Sequence, residues 1–281
     1  MNQLKSILLL GILTAVLIGL GGLLAPKALP IFLIVALLMN LGAWFFSDKM
    51  VLAMSRAQPV AEGQLPQVRR MVEDLARAAG IPTPRLYVIP GQQPNAFATG
   101  RNPAHGVVAV TEGLLRILDE RELKGVLAHE MAHIKNRDIL VASIAAAIAS
   151  AITYLAHIGL FFGGGRDRGG GGAGALLMAL LAPIGATLIQ LGISRQREYL
   201  ADETGAYLCG DPRALASALE KLSFASRRVP LQTEPATASL FIVNPFGGAK
   251  SMLSLFSTHP PMEERIRRLL VLASELRGVA H

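Results

Sequence analysis

Residues 126–138 read VLAHEMAHIKNRD and place two histidines four positions apart among small and apolar neighbours. Positions i and i+4 of an α-helix share one face, about one turn apart, so His129 and His133 would point in the same direction. Two buried imidazoles without polar partners would cost free energy. The stretch therefore predicts a buried helix with a polar group that both rings contact.

A metal ion is the partner that this spacing favours, because two histidines one turn apart can both bind a tetrahedral Zn²⁺. Glu130 lies about 100° further round the helix, where its carboxylate would hold a water molecule as general base instead of binding the ion. A catalytic zinc site also needs a third protein ligand and an open position for water. The short HExxH pattern also occurs by chance, so the prediction depends on that third ligand.

The best candidate for the third ligand is Glu198, in the stretch SRQREYLAD (194–202). Its segment has helical spacing, and Asp202 follows four residues later on the same face. A carboxylate there can accept the outer N–H of a ligating histidine and fix the orientation of the ring. The alternative is that both acids belong to a solvated helix face beside Arg195 and Arg197.

The composition indicates an integral membrane protein, since 52% of the 281 residues are hydrophobic and only 17% are charged. About 20 apolar residues suffice for a helix to cross a bilayer. Uncharged runs of that order lie at 6–26, 28–47, 139–165 and 173–194. The last two are rich in Ala and Gly, so a buried core hairpin is an alternative for them. Because the first run is long for a signal peptide and a second follows at once, we expect a membrane anchor there.

The basic residues predict that both termini and the hydrophilic segments face the cytoplasm, where Lys and Arg concentrate. With four spans, that side would carry Lys5, Lys49, Arg56, Lys135, Arg137, Arg195 and Arg197, and the other side Lys27, Arg166 and Arg168. The net charge of +7 is consistent with anionic inner-leaflet lipid, and no basic run interleaved with aromatic residues indicates nucleic acid. The single cysteine, Cys209, excludes an intrachain disulfide and a cysteine-rich zinc site.

We expect a mainly α-helical protein with a small β-sheet and four transmembrane helices. The N-terminal hairpin occupies 1–47. Two hydrophilic segments, 48–138 and 195–281, form one cytoplasmic domain that a second transmembrane hairpin at 139–194 interrupts. The glycine-rich stretch at 163–174 is the exterior turn of that hairpin.

Helical patterns cover four hydrophilic stretches, and strand-like runs occupy two more. The helices are expected at 65–80, 194–210, 211–226 and 259–277, and the strands at 85–90 and at the start of 106–115. Asp119 and Glu122 have the spacing of a capping box at the start of the helix that carries His129. We expect this helix to continue into the third apolar run.

The stretches AHEMAHIKNRD, SRQREYLAD, NAFATG and LFSTHPPMEERIRRL, between paired apolar runs, closely resemble the HtpX family of bacterial membrane zinc metalloproteases. The family is related to the CAAX prenyl proteases. The resemblance implies a gluzincin-type domain on the cytoplasmic face of the inner membrane, with one Zn²⁺ per subunit held by His129, His133 and Glu198. Glu130 would be the general base.

The resemblance also places two further residues around the cleft, Asn95 and His259, where they would contact the tetrahedral intermediate or gate the metal. Asn95 could equally be a turn residue after Pro94, and His259 a rigid entry to a helix. Asn136 and Asp138 fit the family pattern too, but ending a helix at the membrane boundary explains them as well. His157, within the third apolar run, is assigned no role.

The implied function is hydrolysis of peptide bonds in misfolded or damaged membrane proteins, as part of an envelope stress response. Substrate could pair as an added strand along 106–110, where main-chain bonds would give affinity without strict sequence selection. A non-catalytic zinc-binding scaffold and a metal transporter are the alternatives.

Overall fold

The computed structural model describes residues 2–24, 27, 29–148, 195–226, 240–242 and 260–278. The described chain is mainly helical and carries one small mixed sheet. Its helices are α1 (Asn2–Leu24), α2 (Leu29–Met54), α3 (Pro66–Ala79), α4 (Glu112–Ile117), α5 (Glu120–Lys135), α6 (Ile139–Ile148), α7 (Arg195–Cys209), α8 (Pro212–Ser226) and α9 (Met262–Gly278). Its strands are β1 (Gln58–Pro59), β2 (Arg85–Ile89), β3 (Ala96–Thr99) and β4 (Val107–Thr111).

The apolar helices support membrane insertion to different extents. Among the described helices, α2 is long and apolar enough to cross a bilayer, and shorter apolar stretches lie at Ser6–Ala15 and in α6. Many large apolar side chains of α2 are exposed on the surface of the protein. This exposure is expected for a helix that faces lipid. The remainder of the third apolar run, the whole of the fourth, the glycine-rich stretch and His157 lie outside the described residues.

The helix α2 continues past the expected end of the second apolar run at residue 47 and ends at Met54. Asp48 does not stop the helix, because its carboxylate is buried and lies 3.6 Å from the Arg85 guanidinium at the start of β2. The last turns of α2 therefore pack against the sheet, and their side chains Val51 and Leu52 are buried there.

The strand order is β1-β2-β4-β3, with β2 and β4 parallel and the other two pairs antiparallel. β4 is thus an interior strand with a partner on each side. The expected strand addition along 106–110 is wrong for this reason, since no backbone edge of β4 is left for a substrate. Among the described strands, β3 and β1 are the edges.

Both faces of the sheet are buried, which explains the continuous apolar run of β4. Ala96, Ala98, Val108 and Val110 pack with α3 and α5 in the main core. Residues on the opposite face pack with the end of α2 and with α6, namely Ile89, Phe97, Val107 and Ala109 with Val51, Leu52 and Ala146. The sheet therefore lies between α3 and α5 on one side and the apolar helices α2 and α6 on the other.

The start of α5 is the expected capping box. The Glu122 backbone N–H donates to Asp119 Oδ1 at 2.9 Å, and Glu122 Oε2 accepts from the Asp119 backbone N–H at 3.0 Å. Two orphan donors of the first turn are satisfied reciprocally. The cap fixes the beginning of the helix that carries both histidines.

The end of α5 differs from expectation, because the helix stops at Lys135 and does not run into α6. Arg137 adopts the left-handed region at φ 59°, and the Asp138 backbone N–H donates back to the His133 carbonyl at 2.9 Å. This is the hydrogen-bond pattern of a Schellman stop. A non-glycine residue in that region costs of order 1 kcal/mol, and the turn brings the Asp138 carboxylate back towards His133.

Helices α5 and α7 cross at Gly205. A Cβ atom at this position would lie 2.8 Å from the backbone nitrogen of His129 and 2.9 Å from its Cα. Only glycine permits this approach without a backbone shift. The crossing brings Glu198 and Asp202, on the preceding turns of α7, to the same level as the two histidines of α5.

Gly205→Ala should therefore push the two helices apart and destabilise the protein by about 1–3 kcal/mol, the usual range for overpacking. Thermal unfolding of the full chain in detergent measures the loss. Thr204→Ala, one residue earlier on the same helix, is the matched control and should change the midpoint little. Equal midpoints for the two variants would contradict the close crossing.

Candidate metal centre

Three side chains from two helices converge on one point. The Nε2 atoms of His129 and His133 are 3.2 Å apart. Glu198 Oε2 lies 3.8 Å from His129 Nε2, and Glu198 Oε1 lies 3.5 Å from His133 Nε2. The spacing of i and i+4 on α5 and the crossing of α7 at Gly205 together produce this cluster.

The cluster has the dimensions of a metal site. Four ligand atoms placed tetrahedrally about 2.0–2.1 Å from an ion are about 3.3 Å from one another, and one ligand atom from each of the three side chains lies within 4.8 Å of the other two. His129 and Glu198 are buried, whereas the side chain of His133 is 16% exposed. The residues could therefore hold a metal ion that solvent reaches from the side of His133.

Each histidine has a carboxylate next to its Nδ1 atom, on the side of the ring away from the centre of the cluster. His129 Nδ1 lies 2.9 Å from Asp202 Oδ1, and His133 Nδ1 lies 3.4 Å from Asp138 Oδ2. A proton on each Nδ1, directed to its carboxylate, leaves the Nε2 lone pair facing the centre of the cluster. Asp202 is thus in contact with His129, and Asp138 both follows the end of α5 and contacts His133.

Arg265 is a member of the site that the sequence analysis did not single out. Its guanidinium donates to both carboxylate oxygens of Asp202, at 2.8 and 2.7 Å, and lies 3.6 Å from Glu198 Oε2. The side chain is 0% exposed. A signal was available: Arg265 interrupts the apolar face of α9 that Ile266 and Leu269 form, and an arginine on such a face needs a buried acid.

The buried pairing sets the charge of Asp202 and His129. Burial opposes ionisation of Asp202, but Arg265 and His129 hold the pKa of this carboxyl below its usual range. Burial lowers the pKa of His129 in spite of the adjacent Asp202. The imidazole of His129 is thus kept neutral, which is the form that binds a metal.

Glu130 lies beside the cluster and is 2% exposed. Burial raises the pKa of its carboxyl to about 7, with Glu198 adding to the shift and His133, Arg265 and a hydrogen bond from the Ala98 backbone opposing it. A carboxyl group near neutrality can both take and return a proton at physiological pH. The Ala98 hydrogen bond connects this carboxyl to the edge strand β3.

The cluster is surrounded by more acidic than basic side chains. The carboxylates of Glu130, Asp138, Glu198 and Asp202 face the guanidinium groups of Arg197 and Arg265. If all four acids are ionised, two negative charges are uncompensated, which is the charge that a divalent ion neutralises. Without a metal, burial would lower the pKa of His133, but Asp138, Glu198 and Glu130 raise it to about 9.

Of the two remaining candidate site residues, the structure describes Asn95 but not His259. Asn95 is fully buried directly before β3, and its Oδ1 accepts from the Ala96 backbone N–H at 3.1 Å. Its backbone also pairs with Thr111, which fixes the start of the strand. His259 lies outside the described residues. Catalytic roles for both stay predictions.

The chain is similar to known proteins over most of its length. Residues 62–273 match the family model described as Peptidase family M48. A "Protease HtpX homolog" from Syntrophobacter fumaroxidans is 55% identical over 278 residues, covering 95% of this chain and 98% of the relative. Homologs of the same name from Pelotomaculum thermopropionicum and Burkholderia mallei are 54% and 50% identical, each over 97% of this chain and over 100% and 97% of the relative.

The fold is also similar to a solved structure, the crystal structure of S. mikatae Ste24p. The TM-score is 0.52 at 20% sequence identity, and the match covers 95% of this chain but 65% of the Ste24p chain. This likeness concerns the fold alone. The family model and the full-length relatives carry the assignment: the chain belongs to peptidase family M48 and is a membrane metalloprotease.

Proposed function

We propose that this metalloprotease is a zinc-dependent endopeptidase of the bacterial inner membrane that cleaves misfolded or damaged membrane proteins. One observation carries the proposal: ligand atoms of His129, His133 and Glu198 lie within 4.8 Å of one another, close enough for all three side chains to bind one ion. Two imidazoles and a carboxylate with one open position are a common donor set of catalytic zinc. One Zn²⁺ per subunit would occupy the cluster.

The bound ion would polarise the substrate carbonyl and lower the pKa of a bound water. Glu130 would take the water proton as attack proceeds and deliver it to the leaving nitrogen, and a pKa of about 7 suits both transfers. A hydrogen bond from the Ala98 backbone favours the ionised form of Glu130, which is the form that accepts the proton. Asn95 and His259 are proposed as further donors to the developing oxyanion.

The edge of β3 is the proposed binding surface for an extended substrate. Thr111 donates its backbone N–H to the Asn95 carbonyl. Because such bonds alternate along an antiparallel pair, Ala96 and Ala98 direct their backbone groups away from β4. Ala98 contacts Glu130, so a chain paired along this edge would pass the catalytic carboxylate. Recognition through main-chain bonds selects unfolded segments with little regard to sequence, which suits clearance of damaged proteins.

Glu130→Gln should abolish cleavage and leave zinc binding intact, because the substitution removes the proton acceptor but none of the three ligands. Cleavage of an unfolded membrane protein by the detergent-solubilised, zinc-loaded chain measures the first effect, and zinc content after dialysis measures the second. Glu120→Gln, exposed on the same helix, is the matched control and should keep full activity. Proteolysis by the Glu130→Gln variant at the wild-type rate would disprove the mechanism.

Asp202→Asn and Asp138→Asn should each weaken zinc binding by about 10- to 100-fold, the usual effect of losing the carboxylate behind a ligating histidine. The loss should be larger at Asp202, whose contact with its histidine is shorter. Competition with a chromogenic chelator measures the affinity without reference to activity. Glu203→Gln, an exposed position next to Asp202, controls for a general effect of charge, and an unchanged affinity in both aspartate variants would refute their role.

The proposed topology has four spans in two hairpins, at 1–47 and 139–194. The hydrophilic segments 48–138 and 195–281 together form one cytoplasmic domain, which the second hairpin interrupts. Support comes from the length and the exposed apolar surface of α2 and from the joint core of both segments, where α5 packs against α7 and α8. The bias of basic residues gives the orientation.

Single cysteines introduced into a Cys209→Ser background test this topology. In intact spheroplasts, a membrane-impermeant maleimide should label Gly170→Cys, in the exterior turn, and should spare Glu62→Cys, which is exposed on the proposed cytoplasmic side. Both should react after permeabilisation. Equal protection of the two cysteines in intact spheroplasts would show that 139–194 does not span the membrane.

A further inference from the structure

The outer edge of β3 already has an occupant within the same chain. The backbone N–H of Ile242 donates to the Ala96 carbonyl at 3.0 Å. Phe241 packs edge-on against Phe97, with ring centroids 5.3 Å apart. Phe241 and Ile242 are 1% and 2% exposed. The segment Leu240–Ile242 is therefore seated on the strand by a main-chain bond and by an aromatic anchor.

The position of this segment coincides with the proposed substrate path. Ala98 turns its N–H to Glu130, and the Ala96 carbonyl is the outward-facing acceptor two residues before it. A substrate strand beside Glu130 would need that acceptor for its own amide. The Ile242 backbone N–H already occupies this carbonyl, so the segment Leu240–Ile242 and a substrate strand cannot bind there at the same time.

A second contact ties the segment to the metal centre. Arg265 Nη1 donates to the Ile242 carbonyl at 3.0 Å, while the same guanidinium holds both oxygens of Asp202. This buried arginine thus fixes the far side of Ile242 and the carboxylate behind His129. The backbone N–H and C=O of Ile242 are both engaged at the site.

We propose that Leu240–Ile242 is an intramolecular competitor for the substrate edge, which an extended polypeptide must displace before it can pair with β3. The inference rests on the proposed function, because it assumes that substrates bind along this edge. A tethered segment has a high effective concentration, so it raises the apparent KM and leaves kcat unchanged. Chains that present a long unfolded stretch compete best.

Ile242→Pro tests the competition, since proline removes the N–H that binds Ala96. With casein as an unfolded polypeptide and the zinc-loaded full chain, KM should fall by about two- to tenfold at constant kcat, the range that loss of one hydrogen bond gives. Ile242→Val keeps the N–H and should keep the wild-type KM. An Ile242→Pro variant with unchanged or higher KM, and with the wild-type circular dichroism spectrum, would overturn the proposal.

A measurement that needs no turnover separates this inference from the proposed function. In the Glu130→Gln background, hydrogen exchange of the peptide containing Ile242 should accelerate several-fold when casein is added, because the amide loses its acceptor. Unchanged exchange at high casein concentration would overturn the competition. If the wild type cleaved casein no faster than the Glu130→Gln variant, the proposed function would fail, and the exchange result would still decide whether the edge is shared.

Discussion

The metal centre depends on one close approach, the crossing of α5 and α7 at Gly205, where a Cβ atom would meet the backbone of His129. Histidines one turn apart on α5 supply two donors, but a third must come from another element at the same height. Because α7 comes this near, Glu198 reaches the two imidazoles and Asp202 reaches the back of one of them. The buried carboxylates are tolerated because each has a cation, an imidazole or a backbone donor beside it.

Much of this could be predicted from short-range patterns. The i, i+4 spacing of His129 and His133 and the same spacing of Glu198 and Asp202 are properties of a single helix, so the sequence contains them directly. The capping box at Asp119 is local too. Periodicity also located the main helices and the strands β2 and β4, because each depends on a run of neighbouring residues.

The features that the sequence analysis missed mostly depend on contacts between distant segments. Arg265 acts through Asp202, 63 positions earlier in the chain. The end of α5 was foreseen only as the alternative interpretation of Asn136 and Asp138, while the helix itself was expected to continue. The stop depends on Arg137 in a conformation that favours glycine, which propensity alone argues against. The interior place of β4 follows from the pairing order of the strands, and no pattern within residues 106–110 specifies which strand lies on either side.

The sheet face that carries Phe97 connects the apolar helices to the catalytic site. Phe97 and its neighbours on that face pack against the last turns of α2 and against Ala146 of α6. The apolar helices and the sheet therefore share one hydrophobic core. Removing the hydrophobic helices would leave that side of the sheet facing water and would strip the support from the strand beside Glu130. A water-soluble fragment with the same activity would need polar side chains on this surface. The hydrophobic helices are therefore part of the scaffold that supports the catalytic site.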